Sequence, residues 1–182
     1  MQCNLQLQEI IDDNFIKSQA AIASPAWDIA EYESSLLVIR PKSVCLNLEA
    51  LTCFEVVEHQ FHQFGVTFKN AIALQPSNPA YPPRSGTIVL MAAPKSGWLE
   101  ATFLQPIARF CCYVISSQRT IMSAYDSQGM LIDQVTTQPN LAGSDSSTPP
   151  NTQLQINAPN ISRITFYAFD GQLTLDDLSF EC

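Results

Sequence analysis

From Val44 to its end, the chain alternates short β-prone runs with turn residues, and this pattern constrains the fold more than any other feature. Apolar and polar side chains also alternate within the runs. In residues 97–104, for example, Leu99, Ala101 and Phe103 share one face of a strand. Such period-two order places one face of each strand in a core and the other in solvent. The pattern therefore predicts an all-β, antiparallel sandwich of two sheets.

The turn residues divide this body into short strands and two long loops. Strands are predicted at 44–49, 64–74, 86–92, 97–104, 107–115, 119–126, 129–136, 152–157, 162–169 and 172–180. Asp126–Gly129 and Asp170–Gly171 predict hairpin turns, because glycine adopts the positive φ that such turns require. The loops 75–86, rich in proline, and 137–151, rich in Ser, Pro and Asn, are long enough to carry function.

The first part of the chain has a different pattern. Residues 4–20 show helical spacing of apolar side chains, with polar side chains on the other positions. We therefore expect residues 1–41 to form a helical and irregular extension, and residues 42–182 to form the β-domain. The apolar stripe of residues 5–16 is a surface on which a partner, or a second copy of the chain, could dock.

Composition and charge limit the classes of partner. The chain has 182 residues, 46% of them hydrophobic, and a net charge of −8 from 9 basic and 17 acidic residues. Its basic residues are scattered, which argues against binding nucleic acid or anionic membranes. No apolar run approaches the ~20 residues that cross a bilayer. The acidic start of the chain lacks the features of a secretory signal, which favours a cytoplasmic location.

Cysteine spacing leaves the redox state open. None of the six cysteines forms a CxxC pair, which argues against a zinc knuckle. Cys45 lies in the first predicted strand of the body and Cys182 follows the last. If those strands pair, the two residues could form a disulfide; in a reducing compartment they would be free thiols.

Several short motifs, taken in order, resemble a family of bacterial jelly-roll domains related to galactose-binding-like and carbohydrate-binding modules, common in surface proteins of the PEP-CTERM type. The matching pieces are Leu46-Asn47-Leu48-Glu49, Phe64-Gly65-Val66-Thr67-Phe68, Ser85-Gly86, Leu99–Pro106, Ala124–Gly129 and Leu173–Phe180. The resemblance implies a jelly-roll sandwich and an extracellular location. It does not extend to residues 1–41.

The resemblance also implies a calcium ion held between the first and last strands of the body. The matching acids are Glu49 on the first strand and Asp176 and Asp177 on the last. Calcium takes six to eight oxygen ligands, which carboxylates and loop carbonyls can provide. By strand alternation Asp176 shares a face with Leu178 and Phe180, so we expect Glu49 and Asp176 to be the ligands, with Asp177 in solvent. The alternative is that all three are polar residues at strand ends.

Aromatic side chains suggest a sugar-binding surface. Trp98, on the polar face of its strand, could stack on a pyranose ring, and Tyr81 and Tyr113 could extend the surface. The alternative is that Trp98 packs under the N-terminal segment and Tyr81 packs on the prolines of its own loop.

Three functions are compatible with these observations. The first is a non-catalytic module, stabilised by calcium, that binds a glycan or a protein surface. The second is a jelly-roll cyclase or lyase with Asp126 or Glu100 as the acid; it requires an apolar cavity with a carboxyl at its floor. The third is an assembly protein that docks through residues 1–41. The sequence contains no catalytic motif, which favours the first.

Overall fold

The computed structural model describes residues 20–24, 42–93 and 97–182. These residues form an 11-stranded, almost entirely antiparallel sheet. Its strands are β1 Ala20–Ala23, β2 Ser43–Leu46, β3 Val56–Val57, β4 Val66–Lys69, β5 Ala71–Leu74, β6 Val89–Ala92, β7 Trp98–Ser116, β8 Thr120–Tyr125, β9 Leu131–Thr137, β10 Thr152–Ala168 and β11 Leu173–Glu181. Short 3₁₀ turns lie at Leu48–Ala50 and His62–Phe64. The helix predicted over 4–20 lies outside the described residues, apart from Ala20, which begins β1.

Two long strands, β7 and β10, pair along most of their length and divide the sheet into halves. In the front half-sheet, the beginning of β7 and the end of β10 lie between β4 on one side and β8 and β9 on the other. In the back half-sheet, the other ends of β7 and β10 continue through β11 to β6, β5 and β3, and to β2 and β1.

Each long strand was predicted as two shorter ones, because its alternation breaks in the middle. On β7, Phe103 and Phe110 both enter the core although an unbroken alternation would place them on opposite faces. The pairing of β7 with β10 shifts register on both sides of Ile161, beside Pro106 and Pro159 in sequence. These bulges change which face is buried and leave the strand continuous.

The core lies between the two half-sheets. Phe110 of the back half-sheet packs against Phe166 of the front, with ring centroids 6.0 Å apart. Phe103 of the front half-sheet meets Phe180 of β11 at 5.2 Å. The predicted all-β, antiparallel body is therefore confirmed, and its two layers enclose one hydrophobic core. The exception to antiparallel order is the parallel pair β1–β2.

The predicted contact between the first and last strands of the body is confirmed, since Cys45 lies opposite Ser179 and Val44 opposite Phe180. This register also keeps Cys182 away from Cys45: the Cys182 amide donates to Lys42 O at 3.2 Å, and both cysteines are free thiols.

Of the two predicted hairpins, the first is confirmed and the second is wrong. Gly129, at φ 79°, closes the turn between β8 and β9, which pair directly. Asp170 and Gly171 do form a turn, but β10 and β11 each pair with β7, which lies between them. The turn therefore carries the chain from the front half-sheet to the back one. No helix among the described residues combines the length and the apolar character needed to span a membrane.

Candidate functional site

An aromatic surface, formed by Trp98, Tyr167 and Phe169, lies on the outer face of the front half-sheet. Trp98 on β7 is directly opposite Tyr167 on β10, and their chain neighbours Leu99 and Phe166 enter the core. Tyr167 is 40% exposed and Phe169 73% exposed, and their rings meet edge to face with centroids 6.4 Å apart. Alternation along the two paired strands thus places Trp98, which is half-buried, and Tyr167 on the outer side, and Phe169 follows directly after the end of β10.

Polar side chains fill the rows beside the aromatic surface. Glu100 follows Trp98 on the same face of β7 and contacts Arg163 of β10, with Nη1 and Oε2 3.4 Å apart. The Arg163 guanidinium also lies 4.5 Å from the ring centroid of Tyr125 on β8. On β9, Gln134 donates to the Ser123 hydroxyl at 2.9 Å. This face therefore presents apolar rings next to fixed donors and acceptors.

The structure separates Tyr81 and Tyr113 from Trp98. Tyr113 lies on the outer face of the back half-sheet, opposite Asp176, with the Arg84 guanidinium 4.8 Å from its ring centroid. Tyr81 is buried in the loop 75–88, which covers the same face. The two long loops meet there, where Ala142 N donates to Ala80 O at 3.0 Å. The expected single platform of Trp98, Tyr81 and Tyr113 is therefore not formed.

Glu49 lies in the 3₁₀ turn after β2, and its carboxylate binds the end of the loop 75–88. Thr87 N and Ile88 N donate to Oε1, each at 2.9 Å, and the Thr87 hydroxyl donates to Oε2 at 3.0 Å. Partial burial raises the pKa of Glu49, but these hydrogen bonds outweigh it, so the net pKa is lowered. Gly86 passes so close, at φ 57°, that a Cβ there would collide with the carboxylate.

Asp176 holds the preceding residues of that loop. Its Oδ2 accepts from Arg84 N at 2.7 Å and Ser85 N at 3.2 Å, and its Oδ1 accepts from Asp177 N at 2.7 Å. Burial, with the nearby Asp177 charge, raises the pKa of Asp176 against the lowering effect of these donors. Ser85 donates its hydroxyl to Asp177 at 2.5 Å. The three acids therefore hold one loop together.

The predicted facing of Asp176 is wrong. Leu173, Leu175, Leu178 and Phe180 all lie in the core, whereas Asp176 points to the outer side. The reason is a bulge: the register of β11 with β7 shifts between Asp176 and Ser179, and Asp177 has φ 47°. The bulge reverses the alternation between Leu175 and Leu178.

Calcium at Glu49 and Asp176 stays a prediction, and the donor set around these acids does not fit such an ion. Calcium takes six to eight oxygens. Here backbone N–H groups bind the two carboxylates instead: Oε1 of Glu49 accepts two such hydrogen bonds, and Oδ2 of Asp176 accepts two more. Among the described residues, no three Asp, Glu, His or Cys side chains are placed to share a metal.

A cleft of about 540 Å³ opens on the outer face of the back half-sheet. Its lining residues are Cys53, Phe54, Leu74, Gln75, Pro76, Ser77, Asn78, Tyr81, Met91, Gln172 and Thr174. No acid is among them, so the carboxyl that a cyclase or lyase would need is not found in this cleft. Glu100 lies beside the aromatic surface, and Asp126 accepts from Gln128 N and Met130 N in the β8–β9 turn, each at 2.9 Å.

Sequence reasoning found Trp98 but missed Tyr167, Phe169 and Phe54. The signal for the first two was present, because Phe166 and Ala168 are core positions and their neighbours must face outward. No sequence signal would have placed Tyr167 opposite Trp98, since that depends on the register of strands distant in sequence. Phe54 lies in a short irregular segment, where periodicity gives no information.

Comparison with known proteins gives only distant structural likeness. No protein-family model matches the chain, and no curated protein matches it. A family 29 carbohydrate-binding module from Piromyces equi superposes with a TM-score of 0.38 at 12% identity, over 64% of this chain and 79% of that one. A family 61 module in complex with β-1,4-galactotriose superposes with a TM-score of 0.38 at 13% identity, over 64% of this chain and 87% of that one. A DUF4465 family protein from Bacteroides caccae superposes with a TM-score of 0.40 at 11% identity, over 65% of this chain and 74% of that one.

Proposed function

We propose that the chain is a non-catalytic binding module of the jelly-roll type that recognises a glycan through the aromatic surface of Trp98, Tyr167 and Phe169. The observation that carries this proposal is the position of the half-buried Trp98 directly opposite Tyr167, whose exposed ring contacts that of Phe169, on the outer face of the front half-sheet. Large exposed aromatic side chains on a sheet face mark an interaction site, because leaving them in water is costly.

The chemistry of the surroundings favours a sugar over an apolar partner. A pyranose ring has an apolar C–H face that stacks on aromatic rings, and hydroxyl groups at its edge. Glu100 is the next outward-facing residue after Trp98 on β7, and Arg163 is the second outward-facing residue before Tyr167 on β10. Gln134 lies on β9, on the other side of β8 from these residues. A few fixed polar groups beside apolar contact area give orientation and specificity. The Arg163–Glu100 pair holds both side chains in position for hydroxyl groups.

Replacing Trp98 by alanine tests the proposal. Native affinity electrophoresis in gels that contain a neutral galactan, mannan, xylan or β-glucan should show retardation of the wild-type chain by at least one of them. We expect Trp98→Ala, and separately Tyr167→Ala, to weaken that binding by roughly 30-fold, as truncation of a central aromatic contact costs about 2 kcal/mol.

Met130→Ala is the matched control, because Met130 is also an exposed apolar side chain but lies in the β8–β9 turn, away from these rings. It should bind as the wild type does. The proposal fails if no polysaccharide retards the wild-type chain, or if both aromatic variants keep full retardation.

A further inference from the structure

The cleft on the back half-sheet is distinct from the aromatic surface and has the dimensions of a ligand site. Its volume of about 540 Å³ lies within the range of small-molecule pockets, roughly 300–1,000 Å³. Met91 and Thr174 lie opposite each other on β6 and β11 and form its floor with Leu74 of β5. These side chains face away from the main core, and the loop 75–88 encloses them from one side.

The lining combines an apolar floor with a rim of neutral amides. Tyr81 and Met91 offer an aromatic ring and a thioether, and Gln75, Asn78 and Gln172 are exposed at the entrance. None of the described residues that line the cleft carries a charge. Such a site favours a neutral ligand that has both an apolar face and hydrogen-bonding groups.

Phe54 provides the second, independent observation. Its backbone has φ 70°, a conformation that bulky residues rarely adopt, and its ring is 75% exposed at the cleft. Hydrogen bonds on both sides hold this conformation: Phe54 N donates to Ala73 O at 2.7 Å, and Gln75 N donates to Cys53 Sγ at 3.3 Å. Folding thus maintains a strained backbone that places an aromatic ring in water beside a cavity, as occurs at ligand-binding positions.

We propose that this cleft is a second binding site, and that it takes one neutral sugar ring. The ring would stack its C–H face on Phe54 and touch the small accessible part of the buried Tyr81, over Met91, while its hydroxyl groups meet the amides of Gln75 and Gln172. The choice of a sugar rests on the proposed function, since both sites would then bind parts of one class of ligand.

The two sites are linked by the turn between β10 and β11. Phe169 of the aromatic surface begins this turn, directly after the end of β10, and Gln172 of the cleft ends it. The turn is held to the end of β7 by Ser117 N, which donates to Gln172 O at 3.1 Å. A polymer that follows this turn from one site to the other would engage both at once, which would raise its apparent affinity.

The test is a titration of the ¹⁵N-labelled chain with methyl β-D-galactopyranoside, methyl α-D-mannopyranoside and methyl β-D-glucopyranoside, followed by NMR. We expect at least one of them, at millimolar concentration, to shift the amide resonances of Phe54, Gln75 and Gln172. The decisive variant is Phe54→Gly, because glycine adopts this φ without strain and removes only the ring. This variant should fold with an unchanged or higher Tm. Its affinity for the glycoside, measured from the amide shifts, should fall at least tenfold.

The two proposals fail separately. The cleft proposal is overturned if none of the three glycosides shifts the cleft resonances, or if Phe54→Gly binds as the wild type does. Trp98→Ala should keep these shifts while losing retention by polysaccharide. If polysaccharide binding through Trp98 stands and the cleft takes no glycoside, only the cleft proposal is wrong. If the cleft takes a glycoside and Trp98→Ala leaves polysaccharide binding intact, only the aromatic surface has been assigned wrongly.

Discussion

Single carboxylates in this protein hold backbone N–H groups of the loop 75–88, and their protonation states therefore affect the stability of the fold. Glu49 holds Thr87 and Ile88, and Asp176 holds Arg84 and Ser85. Hydrogen bonds to a charged acceptor are stronger than those between neutral groups. The hydrogen bonds lower the pKa of both acids, but Glu49 is exposed whereas Asp176 is 5% exposed, so burial outweighs the hydrogen bonds only at Asp176 and the net pKa shifts are opposite.

The pH dependence of stability should show the contribution of Glu49. Its pKa is lowered from 4.5 in the folded state, so its contribution is present above the unfolded value and is lost as pH falls through the folded one. We expect Glu49→Gln to be less stable than the wild type at pH 7, and this difference to shrink as the pH falls below about 4. Urea unfolding at a series of pH values measures it; a difference that does not change with pH would contradict this role.

For Asp176→Asn, the difference in stability from the wild type should change with pH in the opposite direction. The pKa of Asp176 is raised from 3.8, so protonation stabilises the folded state below the unfolded value, and this contribution is lost as pH rises through the folded one. The same urea series on Asp176→Asn therefore serves as an internal comparison, because its pH dependence should differ from the wild type in the direction contrary to that of Glu49→Gln.

Gly86 and Gly129 form a matched pair for testing the contact with Glu49. Both have positive φ, at 57° and 79°, but a Cβ at Gly129 meets nothing within 4 Å whereas one at Gly86 meets the Glu49 carboxylate. Gly129→Ala should cost about 1 kcal/mol from backbone strain alone. Gly86→Ala should lower the free energy of unfolding by clearly more than this, because the added Cβ also displaces the Glu49 carboxylate. Equal losses in chemical denaturation would show that the contact with Glu49 contributes nothing.

Among the elements, the long loops 75–88 and 138–151 behave as packed layers. Together they cover the outer face of the back half-sheet, where Ile115, Thr174 and Asp176 are buried outside the main core. Asn151 donates to Pro82 O at 3.1 Å and joins one loop to the other. These loops cover the back half-sheet, whereas the exposed rings of Tyr167 and Phe169 lie on the front half-sheet.

Asn140 holds the second loop to β7, and its loss should be costly. Its Oδ1 accepts from Ser116 N at 2.8 Å, and its Nδ2 donates to Val114 O at 2.7 Å and Pro149 O at 3.2 Å. Asn140 is fully buried, so Asn140→Ala leaves these partners unsatisfied and should destabilise the fold by about 2–3 kcal/mol. Asn157→Ala, at an exposed position of β10, should change the free energy of unfolding by less than about 0.5 kcal/mol. Similar losses for the two variants would argue against this role of Asn140.

For the molecule as a whole, the predicted calcium ion would join its first and last strands. Backbone hydrogen bonds between β2 and β11 already connect these strands, and the loop 75–88, which both Glu49 and Asp176 bind, connects them a second time. We therefore expect excess chelator to leave Tm unchanged, and added Ca²⁺ to raise it by no more than ionic strength does, with Mg²⁺ as the control. A chelator-induced fall in Tm that Ca²⁺ alone restores would establish the predicted ion instead.

The sequence by itself determined the all-β body, the positions of most strands and the burial of their alternating apolar side chains. These properties are local: period-two order and turn residues act within a few positions of the chain. For the same reason it identified Trp98 as outward-facing. The contact of β2 with β11 followed from the resemblance, and the register of that pair is now known.

Tertiary structure alone decided which outward side chains meet. The pairing of Trp98 with Tyr167, and the distance of both from Tyr113, depend on the register of β7 with β10. A bulge at Asp177 reversed the facing of Asp176, and Phe54 reached the cleft through a backbone conformation that no periodicity encodes. Register and bulges are set by contacts between residues far apart in the chain, and one residue of shift moves every side chain to the other face.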